Sequence, residues 1–296
     1  MARILFQTRS GSLSDGLKGR LKAPRKAKTM KPKSLYRAAL LEYLYCASLT
    51  ADPAEASAAY RTYRQLAEKG CPDGWFGLGR AHQYGYGVKA NREKAEKYYR
   101  RAAKLGHAEA QEALGCLYEF AEKPDYRRAR KWYTRTLKQH SSDTPDAAYR
   151  LGWLYERGLG GKKDIQKACL LYRRAAKNGH ADAQRALGYL YEKGLGLPEN
   201  HAKARKWYAR AALQADATAC NNIGFLHYNG KGVRRSKKLA KKWYKLAARA
   251  GSILALSNLG VLYEDAGRLK KAVRYYRRAA EAGNKYAAKQ LKRLDK

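Results

Sequence analysis

A short phrase recurs along this chain at a nearly constant interval. Leucine or isoleucine is followed by glycine six times, and in four copies a variable residue and then Leu-Tyr come next. Successive copies are 36, 37, 36, 36 and 36 residues apart. A fixed period in this range is typical of a solenoid, in which each repeat is a supersecondary unit that stacks on its neighbours. The copies begin at Leu78, Leu114, Leu151, Leu187, Ile223 and Leu259.

Each repeat contains two amphipathic helix patterns. In the fourth full repeat, apolar residues recur at helical spacing over Ala183–Glu192 and again over His201–Leu213. The segment between them contains Gly194 and Gly196, which adopt a positive φ at little cost, and Pro198, which cannot continue the first helix. The pattern therefore predicts a pair of helices joined by a glycine turn.

The recurring glycine lies in the middle of each first helix, where it costs about 1 kcal/mol relative to alanine. Its recurrence predicts a packing role, in which a bulky side chain of the next helix fills the space beside the glycine. The candidates are the aromatic pairs Tyr98–Tyr99, Trp132–Tyr133, Trp207–Tyr208, Trp243–Tyr244 and Tyr275–Tyr276.

Two segments carry a family resemblance. The sequence "GLGRAHQYGYGVKANREKAEKYYRRAAKLGHAEA" from Gly77 and "LGWLYERGLGGKKDIQKACLLYRRAAKNGHADA" from Leu151 resemble the Sel1-like repeat, a relative of the tetratricopeptide repeat with a longer loop between its helices. The resemblance covers roughly residues 72–284. It implies an all-α, right-handed α-solenoid of about six helix-turn-helix repeats, with first helices on the concave face and second helices on the convex face. It implies little about function, because such scaffolds serve many partners.

The pattern also predicts four segments. Residues 1–33 form a basic disordered arm or a transit-like segment, and residues 34–71 form a divergent capping helix pair without the glycine. Residues 72–284 form the repeat solenoid, and residues 285–296 form a capping helix and tail. The second repeat lacks the glycine turn and is followed by a long polar stretch from Lys138, where we expect a local break in the superhelix.

The chain is strongly basic. It has 63 Lys and Arg against 25 Asp and Glu, a net charge of +38 and a pI near 10.1. So large an excess favours a polyanionic partner, because unbalanced positive charge destabilises the compact state. The cations are concentrated in second helices, which predicts phosphate contacts to RNA. The predicted RNA-binding residues are Arg25, Lys26, Lys28, Arg127, Arg128, Arg130, Lys131, Arg173, Arg174, Arg234, Arg235, Lys237, Lys238, Lys241, Lys242, Lys245, Arg249, Lys270, Lys271, Arg274, Arg277 and Arg278.

The first 33 residues contain ten Lys or Arg and one acid, Asp15. This composition fits a mitochondrial transit peptide and equally fits a basic arm that enters nucleic acid. The five cysteines occur singly, without a CxxC motif, which is typical of an intracellular, reducing compartment. The mitochondrial matrix is the favoured location, followed by the cytosol.

The variable residue of the repeated phrase is aromatic in three consecutive repeats. Repeat symmetry places Trp153, Tyr189 and Phe225 in a row. They either line an aromatic groove, which would bind a peptide or stack on nucleic-acid bases, or belong to the core. Nearby asparagines are candidates for hydrogen bonds to the backbone of an extended partner peptide. These are Asn221, Asn222 and Asn258.

The sequence contains no motif for catalysis. The GxG pairs recur as repeat turns and do not follow strands, and the six histidines lack metal-ligand spacing. No apolar run approaches the ~18 residues that span a bilayer. We therefore expect no enzyme activity, cofactor, metal, small-molecule substrate or transmembrane segment.

Two functions remain open. The first is a non-enzymatic scaffold that binds RNA, expected to be rRNA, through its convex face as part of a ribonucleoprotein such as a mitochondrial ribosome, with neighbouring proteins in its inner groove. The alternative is a protein–protein adaptor that uses the concave groove, with its basic face against an acidic protein or an anionic lipid surface.

Overall fold

The computed structural model describes residues 53–139 and 144–294, and within them it contains fourteen α-helices and no strand. This confirms the predicted all-α repeat solenoid. The helices are α1 (Pro53–Glu68), α2 (Pro72–Tyr84), α3 (Arg92–Lys104), α4 (Ala108–Glu119), α5 (Tyr126–Gln139), α6 (Pro145–Arg157), α7 (Ile165–Lys177), α8 (Ala181–Lys193), α9 (His201–Ala212), α10 (Ala217–Asn229), α11 (Lys237–Arg249), α12 (Ile253–Glu264), α13 (Leu269–Glu281) and α14 (Lys285–Leu294).

The described part of the chain divides into two compact units, with the boundary between Asn91 and Arg92. In the first unit α1 packs on α2, and a side chain at Gly77 would collide with the ring of Tyr63. The helix α1 supplies part of the predicted capping pair, whose residues 34–52 lie outside the described part of the chain. In the second unit, first helices α4, α6, α8, α10 and α12 alternate with second helices α3, α5, α7, α9, α11 and α13.

Polar side chains begin the helices of the second unit. At the start of first helices, His180 Nδ1 accepts a hydrogen bond from the Ala183 amide, and Asp216 and Ser252 cap the following repeats in the same way. First helix α8 ends at Gly194, whose left-handed conformation (φ 65°) lets its amide bond back to Leu190. Local sequence therefore sets where each helix begins and ends.

The packing role predicted for the repeated glycine is confirmed. A Cβ atom at Gly188 would lie 2.6 Å from ring atoms of Tyr208, and one at Gly224 would lie 2.6 Å from the ring of Tyr244. The same contact recurs for the other first helices of the second unit. From Trp132–Tyr133 onward, the second aromatic of each pair lies against the glycine, and Tyr208 is accordingly fully buried whereas Trp207 is half-buried.

The buried tyrosines also make a polar contact between the two helices of a repeat. The Tyr208 hydroxyl donates to Glu192 at 2.9 Å, and the Tyr172 hydroxyl donates to Glu156 at 2.5 Å. These glutamates lie at the ends of the first helices, and the tyrosine hydroxyl gives each carboxylate a hydrogen-bond donor within its own repeat. The equivalent pairs are Tyr133–Glu119 and Tyr276–Glu264.

Apolar packing joins the helices on either side of the segment where the sequence predicts a break in the superhelix, and that break stays a prediction. Leu137 of α5 and Leu151 of α6 belong to one core cluster, although the polar residues 140–143 between these helices lie outside the description. At the C-terminal end, α14 covers the last repeat with the buried Ala287 and with Leu291 and Leu294. Two apolar core clusters thus follow one another along the second unit, and function has to be sought on its surfaces.

Candidate functional site

The outer stripe, as we name it, lies on the solvent side of the second helices. Each second helix turns a buried tyrosine inward, and the residue two positions earlier lies ~200° around the helix from it. All six residues at this position are exposed. Because like repeats stack, equivalent positions recur along one face of the second unit. The outer stripe comprises Lys97, Lys131, Leu170, Lys206, Lys242 and Arg274.

Charge separates sharply between the two kinds of helix. The six second helices contain 31 Lys and Arg against 3 Asp and Glu. The five first helices of the second unit contain 4 cations and 8 acids. Nearly all of the excess positive charge of this unit's helices is therefore on the second helices.

Half of the residues predicted to bind RNA are free to meet an external anion. Their side chains are exposed, and among the described residues none of them forms an ion pair or a hydrogen bond. An exposed cation without an internal partner keeps its full charge for a phosphate. These residues are Arg127, Lys131, Arg234, Lys238, Lys242, Lys245, Arg249, Lys270, Arg274, Arg277 and Arg278.

Other predicted RNA-binding cations make contacts within the chain. Arg130 lies 3.8 Å from the ring centre of Tyr155 and approaches the carbonyl of Leu159. Arg173 donates to the Tyr191 hydroxyl and Arg174 to a backbone carbonyl. These three arginines are half-buried, so the structure places them in contacts within and between repeats rather than on the open surface.

The remaining predicted cations are engaged in part. Lys237 pairs with Asp265 at 3.5 Å and Arg128 pairs with Asp125 at 3.2 Å. Three others lie over aromatic rings, namely Arg235 over Tyr228 and both Lys241 and Lys271 over Tyr263. Arg25, Lys26 and Lys28 lie outside the described residues.

A small cleft of ≈ 200 Å³ opens between α11 and α13. Lys245, Arg249 and Arg278 line it together with Tyr275, and no carboxylate does. Three cations that converge on a cleft of this size provide a place for one phosphate group. Among charged side chains, only cations line this cleft.

The sequence-based prediction missed several cations of the same face. Lys97 and Lys206 occupy outer-stripe positions, and Lys203 and Arg210 are also exposed on α9. The signal that would have found Lys206 is its place two residues before a buried tyrosine. The prediction did not extend to α3 or α9, although both contain adjacent cations, Arg100–Arg101 and Arg205–Lys206.

The inner row consists of Trp153, Tyr189 and Phe225, and it lies at the surface. Tyr189 is 44 % exposed, and the other two are half-buried against the core. A cation stands over each ring, with Arg157 5.0 Å from the centre of Trp153, and Lys193 and Lys231 5.9 Å from the centres of Tyr189 and Phe225. The row therefore combines aromatic area with positive charge.

The predicted asparagines are used inside the stack. Asn221 is only 7 % exposed, and its side-chain oxygen accepts a hydrogen bond from Asn258 of the next repeat at 2.8 Å. Asn222 hydrogen-bonds the hydroxyl of Tyr208. These side-chain amides, which we expected to bind a partner peptide, are therefore hydrogen-bonded within the chain.

A cluster of charged groups surrounds Glu112 of α4. Burial, helped by the nearby Asp146 charge, raises the pKa of Glu112 to about 7, although Arg150 and His180 oppose the shift. Asp146 itself accepts from His180 at 3.0 Å, and this hydrogen bond lowers the pKa of Asp146. The cluster joins successive repeats, and the half-buried Cys116 lies near it, but no metal-ligand set accompanies it in the described residues.

The described residues include neither a group that could hold a metal nor a helix that could span a membrane. Within residues 53–139 and 144–294, no group of three or more His, Cys, Asp and Glu side chains is arranged to hold a metal, and the four cysteines there are free. No helix of this part of the chain has the length and apolar character needed to cross a membrane. The surfaces thus define a helical-repeat scaffold with one strongly basic side.

Comparison with known proteins establishes the family. A sequence model of the Sel1 repeat matches residues 76–107, 108–141, 145–180, 181–216, 217–252 and 253–284. The chain belongs to the Sel1-repeat family, as its repeated phrase predicted.

Individual relatives are similar over different shares of their length. The chain is 32 % identical over 134 residues to Chitin synthase regulatory factor 2 of Schizosaccharomyces pombe, which is 43 % of this chain but only 26 % of that protein. A Sel1 repeat protein from Oxalobacter formigenes superposes with a TM-score of 0.67 at 30 % identity, covering 82 % of this chain and 98 % of that one. The protective antigen c5321 of uropathogenic Escherichia coli superposes with a TM-score of 0.73 at 28 % identity, covering 78 % and 50 %.

Proposed function

We propose that this Sel1-repeat scaffold binds RNA through the solvent side of its second helices, without catalysis and without base preference. One observation carries the proposal, namely that these helices hold 31 cations and 3 acids. A face that only needed solubility would mix both signs. Lys and Arg side chains that contact phosphates release counterions, and such contacts read the backbone rather than the bases.

The test compares two triple charge reversals in the full chain. The first, Lys206→Glu with Lys242→Glu and Arg274→Glu, alters the outer stripe. The second, Arg157→Glu with Lys193→Glu and Lys231→Glu, makes the same change of net charge at the inner row. Affinity for a labelled single-stranded RNA is measured by fluorescence anisotropy over a range of salt concentrations.

The outer-stripe variant should bind RNA much more weakly than the parent. The slope of log K against log salt should become shallower by roughly 2, because about three phosphate contacts are lost. The inner-row variant should retain most of the affinity. Equal losses in the two variants would mean that net charge alone attracts RNA, and the proposed face would then be wrong.

The assembly and its location remain predictions. We propose a ribonucleoprotein such as a mitochondrial ribosome, with rRNA on the second helices and neighbouring proteins on the inner row. The basic composition of residues 1–33 supports a mitochondrial destination, with the cytosol as the next possibility. Sedimentation of the endogenous protein with ribosomal particles, lost after ribonuclease treatment, is the expected result.

A second candidate function is a protein–protein adaptor, and the inner row favours it. Exposed aromatic rings with cations over them suit an acidic peptide. The similarity to a protein named as a regulatory factor of chitin synthase supports a scaffold role in the same sense. Replacing Trp153, Tyr189 and Phe225 by alanine should then release a protein partner that nuclease leaves bound.

A further inference from the structure

The outer stripe is interrupted once. At its other five positions the second helices have Lys or Arg, but α7 has Leu170, which is 63 % exposed. A second departure lies on α5, where Thr134 follows the buried tyrosine at a position that is Arg or Lys in four of the other five second helices. A single exposed leucine is ordinary on a protein surface, but Leu170 coincides with the second departure at one place in the fold.

A third departure adjoins these two. The residue four positions after the buried tyrosine is alanine in the five remaining second helices, but in α5 it is Leu137. The three exceptional residues meet at one cleft of ≈ 310 Å³ between α5 and α7. Leu151 and Leu171 complete its apolar lining.

The rim of this apolar cleft is positive. Lys138, Lys167 and Arg174 line it, and no carboxylate does. Arg174 is held in place by its hydrogen bond to the Leu137 carbonyl at 3.4 Å. Lys167 pairs with Asp164 at 3.1 Å and also lies over the ring of Tyr155. The cleft is therefore an apolar depression surrounded by cations.

The geometry points to a protein partner: we propose that the apolar cleft between α5 and α7 docks a large apolar side chain carried by an acidic segment of that partner. Its aliphatic lining suits such an anchor, and its rim suits the flanking carboxylates. A nucleobase would lack a free ring to stack on, because the one aromatic ring of the lining, Tyr155, already has the Arg130 guanidinium 3.8 Å from its centre. This inference is independent of the RNA proposal.

The test uses two labelled glutamate-rich peptides, one with a central Leu-Phe pair and one with Ala-Ala in its place, and the full chain. The parent protein should bind the Leu-Phe peptide roughly ten- to hundredfold more tightly than the Ala-Ala peptide, which is the gain expected from burying large apolar side chains. Fluorescence anisotropy measures both affinities.

The deciding variant is Leu170→Lys, which restores the residue type of the other repeats and so preserves the fold. It adds a positive charge, so electrostatic attraction alone would tighten binding of both peptides. If the apolar cleft binds the peptide, Leu170→Lys should instead weaken binding of the Leu-Phe peptide. The ratio of its affinity to that of the Ala-Ala peptide should then fall to about one. Thr134→Lys is a second variant with the same expected effect. The matched control Lys206→Leu exposes a leucine on α9 and should leave the ratio unchanged.

Three results would overturn the proposal. One is a parent protein that does not distinguish the two peptides, and another is an unchanged ratio in both Leu170→Lys and Thr134→Lys. The third is weaker binding of a single-stranded RNA by Leu170→Lys with peptide binding unaffected, since the cleft would then belong to a nucleic-acid surface. Circular dichroism of each variant checks the fold.

Discussion

The hydrogen bond between Tyr208 and Glu192 should contribute measurably to the stability of the stack. Both residues are buried, with Glu192 7 % exposed, and the hydroxyl donates to the carboxylate at 2.9 Å. Burial and the nearby Glu192 charge raise the pKa of Tyr208, so the hydroxyl stays protonated and remains a donor. Among the described residues, Tyr208→Phe would leave Lys193 as the one remaining partner of Glu192. A hydrogen bond to a charged group contributes about 1.5–3 kcal/mol, and this is the expected loss.

The next repeat contains a natural control. Tyr244 is as buried as Tyr208 and packs against Gly224 in the same way, but Tyr228 stands where Glu192 stands in the repeat before it. Within the described residues, the Tyr244 hydroxyl has no hydrogen-bond partner. Tyr244→Phe should therefore cost less than about 1 kcal/mol, because it deletes an unpaired hydroxyl.

The assay is urea unfolding of the full-length variants, followed by circular dichroism. Because repeats can open separately, hydrogen exchange of α8 and α9 should show where protection is lost. Equal costs for Tyr208→Phe and Tyr244→Phe would refute the reasoning, since the two tyrosines differ chiefly in their polar partners, Glu192 and Asn222.

Three further predictions concern the same stack. Gly188→Ala should destabilise it by about 1–3 kcal/mol in thermal unfolding, despite the better helix propensity of alanine, because the new Cβ lies 2.6 Å from the Tyr208 ring. Asn258→Ala should cost about 1–3 kcal/mol in urea unfolding, because it leaves the buried Asn221 oxygen unpaired. Burial raises the pKa of Glu112 to about 7, so the unfolded chain ionises first and stability falls as pH rises from 4.5 to about 7. Glu112→Gln should thus be more stable than the parent by about 2–3 kcal/mol at pH 8, and by less than about 1 kcal/mol at pH 5.

Much of the fold could be predicted from local pattern. The recurring glycine and the helical spacing of the apolar residues repeat from unit to unit, and each acts within one or two helices. The pairing of Gly188 with an aromatic side chain was predicted for the same reason, although the sequence did not distinguish Trp207 from Tyr208.

The binding faces could be predicted only in part. Helical periodicity places Lys242 and Arg274 on the solvent side, and the structure agrees. It could not show that Arg130 and Arg174 lie against groups of neighbouring helices, or that Asn221 would be taken by Asn258. Those contacts join residues 25 to 37 positions apart, which local spacing does not relate.

The sequence by itself determined the repeat, its two helices and the side of each second helix that carries charge, because these follow from periodicities shorter than one repeat. Only the tertiary structure decided which cations remain free, which glutamates receive the buried tyrosine hydroxyls, and where Thr134, Leu137 and Leu170 meet. The physical reason is that such contacts form between helices and repeats, so they depend on how successive helices stack rather than on the pattern within any one of them.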